Sequence, residues 1–181
     1  MEFITLENKD NITLIKDVLL YPLKVNRDES GILVETLRKD WKDIYGKNRE
    51  FAMQYFSVTD PWIARDENLW HLHKDQEDRF LVAQGKIIVA VADNRKDSET
   101  RGVLNLFYMQ SQINPYILLI PKDTLHGFMV VSKTEGILLN FPTQLYNPSD
   151  EIRIHHKEAK VAFADGSDFA WEKIRRLLNQ S

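Results

Sequence analysis

The chain has 181 residues, of which 43% are hydrophobic and 28% charged, enough for one domain with a sizeable core. Its formal net charge of -3 leaves no basic footprint for nucleic acid, and no apolar run approaches the ~20 residues of a membrane helix. With no cysteine, disulfides, thiolate nucleophiles and Cys-based zinc sites are excluded. The acidic, polar start "MEFITLENKD" carries no signal core, so the expectation is a cytoplasmic protein.

In chain order, short segments rich in Val, Ile, Leu and Phe read as strands: "ESGILVETLR", "FAMQYFSVT", "RFLVA", "KIIVAVAD", "GVLNLFYM", "YILLIP", "GFMVVS" and "GILLNFP". Turn signals such as "DNRKDSET", "SQINP" and "SKTEG" separate them. "RFLVAQGKIIVAVAD" reads as a hairpin about Gln84-Gly85. "LRKDWKDIYGKN" reads as a short helix or a charged flap. The tail "GSDFAWEKIRRLLNQS" predicts a helix over about 167–179, with Ser167 as N-cap and Phe169, Trp171, Ile174 and Leu178 as an apolar stripe packed on the sheets. The fold expected is all-β: a single jelly-roll barrel over 1–181, its core spanning about 28–155, with a C-terminal helix.

The densest chemistry lies in "NLWHLHKDQEDRF". Residues two apart on a strand share a face, so His71 and His73 point together and Leu72 points away. Glu77 follows, and "PKDTLHGF" supplies His126 far downstream. Three imidazoles and a carboxylate suit a divalent transition metal, so His71, His73, Glu77 and His126 form one candidate ligand set, which resembles the metal signature of cupins. The alternative is a set of hydrogen-bonded histidines in a wet cavity. Arg65 and Arg79 flank the stretch, and guanidinium forks suit phosphate oxygens. Arg95 reads as a structural ion-pair residue on a turn. His155 and His156 read as solvated strand-end residues, and Trp62 and Trp70 as core.

Four ordered segments resemble the dTDP-4-dehydrorhamnose 3,5-epimerase family. "DESGILVE" matches that family's Asp-x-Arg-Gly-x-Phe-x-Glu at Asp28, Gly31 and Glu35. "DNRKDSETRG" matches Asp-x-Arg-x-x-Ser-x-Thr-x-Gly at Asp93, Arg95, Ser98, Thr100 and Gly102. "IPKDTLHGF" matches Ile-Pro-x-Gly-x-x-His-Gly-Phe, with Asp123 in place of Gly. "TQLYNPSDE" resembles Thr-x-x-Tyr-x-Pro-x-x-Glu.

The resemblance implies a homodimeric jelly roll without a metal cofactor. It also implies a nucleotide-linked 4-keto-6-deoxy sugar as substrate, with proton removal beside a ketone and reprotonation on the opposite face. It places the base on His71 and the second site histidine on His126. It also places substrate contacts on Glu35 and Gln54; Arg65, His73 and Arg79, in or beside the histidine stretch, are read as further substrate-binding candidates. The family's acid tyrosine falls on Asn140, an amide that cannot act as that acid but could hydrogen-bond the substrate carbonyl in the catalytic site, so Tyr55 or Tyr108 are candidate replacements for the acid. The family's enolate-holding Lys falls near Asp78 or Arg79, and the Asp that orients the base should lie beyond Glu151.

Overall fold

The structure is a computed structural model, and it describes residues 1–179; Gln180 and Ser181, the end of the expected helical tail, lie outside the described residues. Two five-stranded antiparallel sheets face one another as a jelly-roll sandwich. The first has the order β12(Ile152–His155), β5(Leu69–Leu72), β10(Leu125–Val130), β7(Lys86–Ala92), β8(Leu104–Gln110). The second has the order β1(Leu19–Pro22), β9(Tyr116–Ile120), β6(Asp78–Gln84), β11(Gly136–Asn140), β4(Tyr55–Thr59). A separate hairpin, β2(Val25–Asp28) with β3(Gly31–Val34), belongs to neither sheet. The second sheet therefore takes in residues 19–22, ahead of the segment from 28 onward expected to carry the barrel.

Period-2 alternation sorts the apolar residues into three clusters. Ile87, Val89 and Val91 of β7 point between the sheets and meet Phe80, Val82, Tyr116, Leu118 and Ile120. Ile88, Ala90 and Ala92 point the other way, onto Phe169, Trp171 and Ile174 of the C-terminal segment. On the far side of the second sheet, Leu81, Ile117 and Leu119 are covered by Ile44 and Tyr45 of α1(Lys42–Tyr45). Both faces of the central strands are thus buried, which is why they read as continuous apolar runs.

Several expected local structures differ. The chain does not form a hairpin at Gln84-Gly85: β6 and β7 lie in different sheets, so the turn carries the chain across the sandwich. Gly85 adopts φ +77, and a Cβ there would meet Ser132 Oγ at 2.7 Å and the Glu135 carbonyl at 2.8 Å. The C-terminal helix α3(Trp171–Asn179) begins four residues after Ser167, which does not cap it. Asp168 instead bridges to Ala162 in extended backbone, and the Ser167 hydroxyl donates to Asp165. The helix packs on the outer face of the first sheet, as its apolar stripe predicts. His155 ends β12, whereas His156 starts α2(His156–Ala159) and packs against the touching rings of Trp70 and Phe169, with both centroid distances at 5.0 Å. Trp70 is fully buried, as expected of a core residue.

Alternation also decides between Asp78 and Arg79. Asp78, Phe80 and Val82 face the interior, and Arg79 faces outward beneath the loop that carries α1. The Arg79 guanidinium, with no exposed surface, donates to the carbonyls of Phe141, Ile44, Arg49, Glu50 and Pro142 and lies 4.3 Å over the Tyr45 ring. It pins two loops to β6 and is not a phosphate ligand. Removing it strands several buried acceptors, each costing about 1–3 kcal/mol. Arg79→Met is expected to lower the unfolding free energy by about 3–5 kcal/mol in urea denaturation, and Arg79→Lys, with three donors in place of five, to recover only part of it.

Candidate active site

The cavity opens between the two edge strands β12 and β4 and has a volume of about 280 Å³. Strand register builds it. On the first sheet, Arg153, His71, His126 and Val91 form one cross-strand row. On the second, Tyr55, Asn140, Phe80 and Leu118 form another. Residues directly opposite in antiparallel strands share a face, so both rows project into the sandwich. Deeper in, Phe80, Phe128 and Leu138 form an apolar floor; toward the open edge, polar side chains take over. A larger depression of about 700 Å³ passes Lys16, Lys74, Arg95 and Asp123, but it contains no histidine. Arg95 there is held by Asp93 at 2.9 Å, as expected of a structural ion pair, and the three histidines singled out in the sequence line the smaller cavity.

His71 lies on the first wall. Its Nε2 faces Asp66 Oδ2 at 2.6 Å and therefore carries the proton of that hydrogen bond, leaving the lone pair on Nδ1, which faces Glu151 Oε1 at 3.8 Å. Asp66 reaches this position from a loop residue at φ +53, a left-handed conformation that Asp tolerates better than most residues. Burial, and then the charge of His126, lower the His71 pKa below its ordinary value of 6.5, while the Asp66 hydrogen bond and charge oppose them. The ring is thus neutral near pH 7 and able to accept a proton.

His73 and His126 lie beside it. His73 Nδ1 donates to the Asp150 carbonyl at 2.9 Å, and the Asp123 N–H donates to the His73 carbonyl at 2.7 Å. Asp123 has φ +58, the conformation that explains why the family pattern favours Gly there. His126 Nε2 faces the buried Asp78 Oδ2 at 3.2 Å, and His73 Nε2 faces the same oxygen at 3.7 Å. Burial alone would raise the Asp78 pKa. The hydrogen bond and charge of His126, the charge of His73 and the Asn140 amide outweigh it and hold the carboxyl at about 2.

Asn140 shares this inward face but is fully buried among its neighbours and does not line the cavity. Its Oδ1 accepts the Arg79 N–H, which fixes the amide orientation, and its Nδ2 donates to Asp78 Oδ1 at 2.7 Å and to the Tyr55 hydroxyl at 2.9 Å. A direct substrate contact by Asn140, expected from the alignment of motifs, is therefore replaced by a supporting one. Tyr55 lines the cavity, and its hydroxyl accepts the Asn140 bond. Burial, followed by the Asp78 charge, raises its phenol to about 12.

Of the residues singled out in the sequence, His71, His73, His126 and Arg65 line the cavity. Glu35, Gln54, Arg79 and Glu77 do not. Glu35 is exposed and paired with Arg38 beyond the separate hairpin, and Gln54 is exposed just ahead of β4. Glu77 is bonded through both oxygens to Arg49, which dismantles the four-residue ligand set; the metal-capable grouping among the described residues is His73, Asp78 and His126, with ligand atoms within 4.8 Å of one another. Sequence reasoning missed Asp66, Asp78, Ser57, Glu151 and Arg153 as cavity residues. The Arg153–His71 register identifies Arg153 only once β12 is known to pair with β5.

A neutral imidazole on one wall of a jelly-roll pocket, with hydroxyl and imidazole groups around it, is equipment suited to the proton transfers of an acid–base isomerase. The family model described as dTDP-4-dehydrorhamnose 3,5-epimerase matches residues 12–173, and the chain belongs to that family. The chain is 39% identical over 137 residues to the probable low-salt glycan biosynthesis epimerase Agl13 of Haloferax volcanii, covering 75% of this chain and 83% of that one. It is 30% identical over 158 residues to the spore coat polysaccharide biosynthesis protein SpsL of Bacillus subtilis, covering 86% and 99% respectively. In fold it is similar to a dTDP sugar isomerase from Desulfovibrio desulfuricans G20, with TM-score 0.73 and 23% identity over 87% of this chain and 92% of that one. It is also similar to the epimerase RmlC from Legionella pneumophila, solved with dTDP-4-keto-L-rhamnose, with TM-score 0.71 and 24% identity over 84% and 80%.

The electrostatics of His71 are open to a measurement that needs no substrate. In an NMR pH titration the His71 ring is expected to titrate below 6.5, and Asp66→Asn, by removing a group that raises this pKa, to move the midpoint lower still.

Proposed function

We propose that the protein epimerises a nucleotide-linked 4-keto-6-deoxy sugar at C3, C5 or both, with His71 as the base. The observation that carries this reading is the neutral His71 imidazole held by Asp66 on one wall of the cavity. A C–H beside a ketone is a weak acid, so its removal requires a positioned base and a donor to the oxygen of the forming enolate. His73 and His126 line the same cavity and are the candidate donors. At about 280 Å³ the cavity lies at the small end of ligand pockets. It suits the sugar ring and leaves the diphosphate and base at the mouth, where Arg65 and Arg153 supply guanidinium groups. The acid–base groups suffice without a cofactor. Stoichiometric metal on His73, Asp78 and His126, lost together with activity on chelation, would instead support a metal-dependent cupin.

The working form in this reading is a homodimer in the cytoplasm, where nucleotide sugars are made. The edge strand β4 exposes Phe56 and Val58, and the separate hairpin exposes Ile32 and Leu33. An unpaired edge bearing apolar side chains is a ready docking surface for a second chain. Exchange of the hairpin onto the partner's β4 edge would carry Glu35 toward the partner's cavity, beside Gln54. Light scattering on the purified protein is expected to give twice the chain mass, and Phe56→Lys to shift it toward the monomer.

The reaction itself is tested by incubating the enzyme with dTDP-4-keto-6-deoxyglucose in deuterium oxide. Deuterium is expected to enter at C3 or C5, and His71→Ala to slow this entry by about 10²–10⁴-fold, the usual worth of a general base. Nucleotide-sugar binding with no exchange by the wild-type protein would defeat the reading.

A further inference from the structure

An epimerisation that begins on one ring face must end on the other, so a proton donor is needed across the cavity from His71. The residues lining the second wall are few: Tyr55, Phe56, Ser57, Asp78, Phe80 and Leu138. Phe56, Phe80 and Leu138 carry no exchangeable proton. Asp78 is ionised, and Asn140 behind it is an amide with both its N–H groups engaged. Ser57 Oγ is buried without a hydrogen-bond partner, which suits a substrate hydroxyl, but an alkoxide is a far poorer leaving base than a phenolate. Tyr55 remains.

The hydrogen-bond geometry of Tyr55 also fits a donor. Its oxygen accepts from Asn140 Nδ2 at 2.9 Å, and the other Nδ2 hydrogen is directed to Asp78 at 2.7 Å. The Tyr55 O–H hydrogen therefore cannot point at Asn140. Among the described residues no acceptor takes it, which leaves it directed into the cavity that Tyr55 lines. No other tyrosine competes. Of the six in the chain, Tyr108 packs on the outer face of the first sheet, the Tyr116 hydroxyl donates to the Tyr108 carbonyl, Tyr146 is exposed, and Tyr21 and Tyr45 lie outside the second sheet.

We infer that Tyr55, held by the buried Asn140 amide, delivers the proton to the ring face opposite His71. The inference rests on the epimerase reading above. His71 takes hydrogen from the carbon beside the ketone; the C–H electron pair moves into the enolate, whose oxygen carries the charge. Tyr55 O–H then protonates the same carbon from the other side, the carbonyl re-forms, and the phenolate is left against Asn140 Nδ2. The imidazolium loses its proton and the phenolate regains one through solvent, so no net proton is consumed. Asn140 is a positioning residue here, and Tyr55 is the group that meets the substrate.

The test separates removal of hydrogen from inversion. Tyr55→Phe keeps the ring and deletes only the donor. In deuterium oxide this variant is expected to exchange the substrate hydrogen from the His71 side with retained configuration, at a rate within a few-fold of wild type. Formation of the inverted product is expected to fall by about 10²–10⁴-fold. Inversion at the wild-type rate would overturn the inference, as would an equal loss of exchange and inversion with unchanged dTDP-sugar affinity. Asn140→Leu, which removes the donor to Tyr55 together with the donor to Asp78, is expected in folded protein to lower inversion more than exchange; a folded variant with both rates unaltered would overturn the positioning role. Absence of exchange in the wild-type protein would instead count against the epimerase reading, so the two failures are distinguishable.

Discussion

The site depends on one buried carboxylate. Asp78, with 2% of its side chain exposed, stands between the two sheets and meets polar groups from both: His126 Nε2 at 3.2 Å on the first, Asn140 Nδ2 at 2.7 Å on the second, with Gln76 Nε2 at 2.7 Å beside them. A carboxylate this far from water is tolerated only when its lone pairs are occupied by strong donors. Those donors are therefore held in place by the same energy that keeps Asp78 ionised at about 2. The result is a polar crosslink within an otherwise apolar sandwich. It fixes the position of His126 on one wall and, through the Asn140 amide, of the Tyr55 hydroxyl on the other.

Strand periodicity then distributes the chemistry. In "EDRF", Asp78 and Phe80 fall inward while Arg79 falls outward, and that single alternation divides a site residue from a structural one. The same rule sends His71 and His73 into the cavity and Leu72 into the cluster covered by the C-terminal helix. Charged residues of one stretch thus do three jobs: Asp78 organises the site, Arg79 anchors two loops, and Glu77 pairs with Arg49 above them.

Much of this was legible in the sequence, and what was not has physical causes. The strands announced themselves through β-branched and aromatic runs. The histidines announced themselves through their spacing and through the "LHGF" motif. Hidden were the features that depend on which strands become neighbours. Asp66 reaches His71 from a left-handed loop residue, a conformation with no composition signal. Arg153 lies on an edge strand whose alternation is weak, because one side of the edge is open to solvent, and the same weakness left Tyr55 and Tyr108 undivided as candidates. The Gln84-Gly85 turn has the local chemistry of a hairpin, yet the two strands it joins find better partners in separate sheets. Sequence could place Arg79 near the site but could not give the face it points to, since one residue of register reverses that answer.

The replacement at position 140 is best understood through the number of hydrogens an amide offers. A tyrosine there would bring one O–H to the cavity from β11. Asn140 instead stays buried on the same inward face and uses both Nδ2 hydrogens, one for Asp78 and one for Tyr55 on the adjacent strand. The pairing is possible because Asn140 and Tyr55 are direct partners across β11 and β4, where side chains on the same face approach closely. Moving the phenol one strand outward, to the sheet edge, shifts the donor toward the mouth of the cavity without removing it from the wall opposite His71. Its pKa of about 12 keeps the phenol protonated at rest, while that of His71, below 6.5, keeps the imidazole unprotonated. In the proposed reaction, base and acid therefore begin in the states that the proton transfers need, with no prior proton transfer between them.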